Sequence, residues 1–174
     1  MTGADTVLLN SDDPETRSRR DRLPSWSRWV GQAGDVVSVT SHGLVLDGGE
    51  LVRAEELNLM GVHNLYNAAF AAGMAHMAGV SRSGIRERLC SFVPISHRLE
   101  LVGVRNGVRF FNDSKATNFD SVVKALGSFD AIRWIAGGKY KGGEFDELME
   151  AGRERVRSAY FIGDSAPLFF DALS

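Results

Sequence analysis

The residues best suited to chemistry share one stretch, FNDSKATNFDS, from Phe111 to Ser121. An Asp, a Lys, a Ser and a Thr stand there between an apolar strand-like run and an apolar helix-like one. Thr117 or Asn118 can cap the following helix, and Asp120, three residues beyond Thr117, gives a capping-box pattern with Asp in place of Glu. Capping needs only one of these side chains. Lys115 is harder to account for, because the helix dipole disfavours a cation at an N-terminus by roughly 0.3 to 1 kcal/mol. A bound anion would reverse that sign by drawing on both the Lys and the free N–H groups. The residues alone leave two readings open, a solvated loop with a cap or a site for an anionic ligand.

Other candidates are weaker. GGKYKGG, residues 137 to 143, carries two lysines, among them Lys141, but lacks the spacing and the Ser/Thr of a phosphate loop. HNLYN sets Asn64 and Asn67 on one helix face near its start, where helix capping is the competing role. His63, His76 and His97 have no paired ligand spacing with a carboxylate nearby, so no metal site is expected from them. Cys90, the single cysteine, reads as a small buried hydrophobe on a helix face.

These residues need elements to hold them. Thr6 to Asn10 reads as a buried strand delivering a polar loop, and Asp12 to Arg28 as a charged surface connection, with room for a short helix. DVVSVT, GLVLDGG and ELVRAEEL alternate with glycine turns, as a small antiparallel meander does. The alanine-rich run from His63 predicts a helix ending near Gly79, and SRSGIRERLCSF a second one capped by Ser81. Val93 to His97 reads as a hinge because Pro94 cannot continue a helix. LELVGVRNGVRFFND predicts a hairpin turning at Asn106-Gly107. Beyond it come a helix at 119 to 126, a buried strand IRWIAGG, a helix EFDELMEAGRERV, a strand SAYFIG and a helix opening at Ser165. That alternation predicts an α/β chain whose second half carries a parallel sheet with helices on its faces, the more nearly complete sheet of the two halves. Such sheets bind ligands beyond the carboxyl ends of their strands, which brings the 112–118 and 137–143 loops to the expected site edge.

Composition narrows the class. A net charge of -2 over 174 residues, with basic residues scattered, gives no reason to expect nucleic acid as partner. The opening residues form neither a signal peptide nor a membrane span, so a cytoplasmic protein with no membrane partner is the default expectation.

Taken in order, HNxxNAxxA, HRLE, FNDSKATN and IAGGxxKGxxF resemble the Mur ligase family, from TVLLNSDDP to the last residue. The HN and HR pieces are shared across that family and with folylpolyglutamate synthases. NDSKATN is similar only to the members that add D-glutamate. The resemblance implies that residues 1–93 are the end of a central ATP-binding domain, a remnant with the meander and helices. It implies that residues 94–174 are much of a Rossmann-like C-terminal domain. It further implies a monomer that uses ATP and Mg2+, with the magnesium ligands outside this chain, to join D-glutamate to UDP-N-acetylmuramoyl-L-alanine through an acyl phosphate. Carried over by position, Asn64 and Asn67 would lie by adenine, and Arg98 and Asp113 would hold the nucleotide. Lys115, Thr117 and Lys141 would face the D-glutamate carboxylates and the reacting centre. Tyr140 and Ser96 depart from the family pattern, standing where an acidic residue and a proline are common. The phosphate loop would lie before residue 1, so the chain by itself is expected not to turn over. The rival from another class is a non-catalytic nucleotide- or anion-binding α/β module that shares the C-terminal fold.

Overall fold

A computed structural model describes residues 6–32, 36–140, 142 and 145–173. The chain divides into two compact units, meeting at Val93 and Pro94.

The first unit is built on a five-stranded sheet: β1 (Leu8–Asn10), β2 (Arg28–Gly31), β3 (Val37–Thr40), β4 (Gly43–Leu46) and β5 (Gly49–Arg53), bonded in that order. The β1–β2 and β2–β3 pairs are parallel and the other two antiparallel. The expected meander is therefore only the last three strands of a mixed sheet. Strand β2 is the element the sequence reading lacked. It has four residues and two apolar side chains, too few for a period, yet it lies between two neighbours with Val30 fully buried. Its Trp29 is 5% exposed and carries the Arg20 guanidinium 4.7 Å from its ring centroid, so a residue of the charged connection packs by cation–π contact.

Helix α1 (Pro14–Ser18) opens at Asp13, whose carboxylate accepts from the Thr16 N–H at 2.7 Å. Those hydrogen bonds, the one from the Thr16 hydroxyl foremost, hold the Asp13 carboxyl below its ordinary value. Helix α2 (Val62–Met77) lies on the sheet through a face of small residues, Ala68, Ala69, Ala72 and Gly73, which lets the backbone come close to β2 and β3. Helix α3 (Arg82–Ser91) starts at Ser81, which accepts from the Gly84 N–H at 3.2 Å, and buries Ile85 and Leu89. Val30, Val37, Leu44, Leu46, Leu51 and Val52 form the centre of this core. Each contributes about 1.5 to 3 kcal/mol by leaving water. Cys90 is half-buried against the same cluster, less enclosed than its sequence setting suggests.

In the second unit, β6 (Glu100–Arg105) and β7 (Val108–Asn112) form the hairpin. Asn106 at φ 51° and Gly107 at φ 76° supply the two left-handed positions that a type I′ turn requires. Helix α4 (Phe119–Leu126) follows, then β8 (Ile132–Gly137), α5 (Phe145–Gly152), β9 (Val156–Ile162) and α6 (Ala166–Leu173). Strands β8 and β9 pair in parallel, the geometry expected of a strand–helix–strand crossover. The core is an aromatic knot: Phe169 lies between 5.5 and 6.1 Å, ring centre to ring centre, from Phe119, Trp134, Phe145 and Phe161. Leu126 and Leu148 complete it.

Two expectations are corrected here. The more extensive sheet belongs to the first unit; among the described residues the second holds two separate two-stranded sheets. Strand β8 is not buried on both faces. Trp134 points into the knot while Ile135 is 70% exposed, on the same outer face as the charged Arg133.

Candidate functional site

Two loops of the second unit are tied into one body. The first is His97 to Glu100, the second Asn112 to Lys115. His97 and Leu99 both hold left-handed backbones, at φ 68° and 44°, an arrangement that costs about 1 to 3 kcal/mol for each non-glycine residue. It persists because hydrogen bonds specify it from several sides. The His97 N–H donates to Glu100 Oε2 at 2.7 Å, and the Leu99 N–H donates to Asp113 Oδ1 at 3.0 Å. The Lys115 N–H donates to the His97 carbonyl at 3.1 Å. The Asn112 side-chain amide meets His97 Nδ1 at 2.8 Å.

Arg98 lies between the two left-handed residues, with an exposed side chain. Lys115 is exposed as well, and the ion pairs among the described residues engage neither. Arg98, Asp113 and Lys115 are thus brought together on one bonded frame that offers two unpaired cations. Thr117 follows a turn closed by the Ala116 N–H on the Asp113 carbonyl at 2.8 Å.

The expected capping box is absent. Asn118 is the N-cap of α4, its Oδ1 accepting from the Ser121 N–H at 2.9 Å, while Asp120 pairs with Lys124 at 2.7 Å one turn on. Asn118 wins because its carboxamide reaches the third helical N–H from one residue nearer than Thr117. The Thr117 hydroxyl is left exposed and unengaged among the described residues.

At the end of β8, Gly137 approaches β9 so closely that a Cβ there would fall on the Ile162 carbonyl oxygen. Ser165, 5% exposed, donates to the Gly138 carbonyl at 2.6 Å and fastens the loop to the start of α6. Tyr140 stacks on Phe145 with ring centres 5.6 Å apart. Lys141 lies outside the described residues.

Asn64 and Asn67 belong to the first unit, at the start of α2. Neither is the cap; Gly61 is, at φ 86°. Asn64 donates to the Met60 carbonyl at 2.7 Å, and Asn67 to Asn64 Oδ1 at 3.4 Å. Tyr66, between them in sequence, donates to the Asp12 carboxylate, which also accepts from the Gln32 N–H at 2.7 Å. Burial first, then that hydrogen bond and the Asp12 charge, push the Tyr66 phenol up to about 12. This network joins the loops after β1 and β2 to α2. Sequence reasoning missed it, since its members are 20 and 54 residues apart. It also missed Glu100 and Asn112; for Asn112 a signal existed, since Asn-Asp-Ser is an Asx-turn sequence, and Asn112 Oδ1 accepts from the Ser114 N–H at 3.1 Å.

Among solved structures, the fold is that of the Mur ligases. MurF from Acinetobacter baumannii superposes with a TM-score of 0.67 at 20% identity, over 96% of this chain and 40% of that one. UDP-N-acetylmuramate-alanine ligase MurC from Thermotoga maritima gives 0.67 at 17% identity, over 97% and 40%. No family model matches the chain. Sequence comparison is more specific, and the relatives it finds are Mur ligases that share one name. It is 38% identical over 166 residues to a protein of Gloeobacter violaceus named UDP-N-acetylmuramoylalanine--D-glutamate ligase. To one of the same name from Pelotomaculum thermopropionicum it is 37% identical over 181 residues. These alignments take in 94% and 97% of the chain but 37% and 39% of the relatives, so the chain spans under two fifths of their length.

Proposed function

We propose that this chain supplies part of the active site of an ATP-dependent ligase that joins D-glutamate to UDP-N-acetylmuramoyl-L-alanine. The observation that supports this best is the bonded loop pair that offers the Arg98 and Lys115 cations from one frame. A dicarboxylate amino acid and a nucleotide phosphate both need such donors, and charge-assisted hydrogen bonds are the strong ones.

In this reading residues 1–93 are the end of the central ATP-binding domain and residues 94–174 much of the C-terminal one. Lys115 and the Thr117 hydroxyl hold the D-glutamate carboxylates, with Lys141 as a further carboxylate partner. Arg98 and Asp113 hold the nucleotide, and Asn64 and Asn67 meet the adenine. ATP, when bound, supplies the phosphate that activates the L-alanine carboxylate as an acyl phosphate. The residues of this chain orient the D-glutamate amine for attack, which turns an encounter into an intramolecular event. Among the described residues no group of three or more His, Cys, Asp or Glu could hold a metal ion. No helix of the described residues is long and apolar enough to cross a membrane, and a cytoplasmic monomer is the proposed state.

The test places this chain in the matching segment of the Gloeobacter violaceus relative and measures phosphate release that depends on D-glutamate. Losing one charge-assisted bond of about 1.5 to 3 kcal/mol, Lys115→Ala should lower kcat/KM for D-glutamate by about tenfold to a hundredfold. Near-normal kcat/KM would refute the assigned role.

A further inference from the structure

The bond between Asn112 and His97 has a direction that the surrounding groups determine. An amide can present either its NH2 or its oxygen, and a neutral imidazole either a lone pair or an N–H. Asn112 Oδ1 is committed, since it accepts from the Ser114 N–H at 3.1 Å. The NH2 is therefore the group that faces His97 Nδ1 at 2.8 Å. A proton on Nδ1 would set two donors against each other, so Nδ1 accepts and the proton of the neutral ring resides on Nε2. Glu100 Oε2 could stabilise a proton on Nδ1, but it lies 3.8 Å away and already takes the His97 backbone N–H at 2.7 Å.

We propose that Asn112 is a positioning residue whose amide, oriented by the Ser114 N–H, holds His97 in the Nε2–H tautomer and fixes the left-handed loop that presents Arg98. The Nε2–H is then a further donor on a half-exposed ring, its side chain 52% accessible. It adds to Arg98 and Lys115 in a donor set suited to phosphate or carboxylate oxygens. The part played in ligand binding rests on the ligase reading above; the tautomer does not.

Long-range 1H–15N correlation on the uniformly 15N-labelled 174-residue chain reads the tautomer directly, with His97→Gln used to assign the ring. The expected result at pH 8 is a protonated Nε2 and an unprotonated Nδ1. Asn112→Asp replaces the donor with a carboxylate acceptor and should move the proton to Nδ1; Asn112→Ala should leave a mixture. A wild-type His97 protonated on Nδ1 would overturn the proposal, and so would an Asn112→Asp chain that keeps the wild-type pattern. Because the readout needs neither nucleotide nor D-glutamate, its outcome is separate from that of the ligase assay.

Discussion

Asp113 offers the sharpest test of how the loop pair is held. Asp113→Ala removes the acceptor of the Leu99 N–H, which lies 3.0 Å from Oδ1. Leu99 is 8% exposed with φ at 44°, so the orphaned N–H reaches water only if the loop moves. A hydrogen bond to a charged group is worth about 1.5 to 3 kcal/mol net. A left-handed non-glycine residue costs about 1 to 3 kcal/mol. The two nearly balance, which makes this carboxylate a principal restraint on the backbone of Leu99. The expected loss is about 2 kcal/mol of local stability, read as a fall of about 30-fold in hydrogen-exchange protection at the Leu99 amide. Asp113→Asn keeps a carbonyl acceptor and loses only the charge, so about 1 kcal/mol and a roughly fivefold fall are expected. The amide of Val37, in the core of the first unit, should not change in either variant. Unaltered protection of Leu99 in Asp113→Ala, or equal damage from Asn and Ala, would refute the reasoning.

Asn118→Ala should cost about 1 kcal/mol in urea unfolding of the second unit and Asn118→Asp little, whereas Thr117→Ala should stay within about 0.5 kcal/mol, since Thr117 is not the cap. Gly137→Ala should cost about 3 kcal/mol or more by driving a Cβ into the Ile162 carbonyl, seen as loss of the dispersed Trp134 indole resonance. Tyr66 should ionise, by absorbance at 295 nm, at about 12 against an ordinary 10.0. Because its folded value is raised, the stabilisation it gives is complete below pH 10 and is lost as pH rises through about 12, and Tyr66→Phe should remove that dependence.

What the sequence revealed depended on how local each cause was. The hairpin turn was legible because Asn-Gly alone satisfies two left-handed positions, and α2 because small apolar residues run through four turns. Strand β2 was not, since its identity comes from its neighbours and not from its own four residues. The outer face of β8 was misjudged for a different reason: Arg133, which shares that face with Ile135, marks the solvent side of an otherwise apolar strand. In the candidate site, Lys115 stood out because a cation before a helix start conflicts with the dipole. The clasp around it was hidden, because His97 and Leu99 owe their backbones to hydrogen-bond partners 15 and 14 residues away and not to their own side-chain types.

The central claim is that Lys115, presented by this loop pair, handles D-glutamate. The most direct measurement is incorporation of radiolabelled D-glutamate into UDP-N-acetylmuramoyl-L-alanine by the chimeric ligase, comparing wild type and Lys115→Ala, with Lys139→Ala as a second exposed lysine of the same unit. Lys115→Ala alone should slow D-glutamate addition, by about tenfold to a hundredfold, while its circular dichroism matches wild type. Addition at the wild-type rate by a folded Lys115→Ala protein would contradict it.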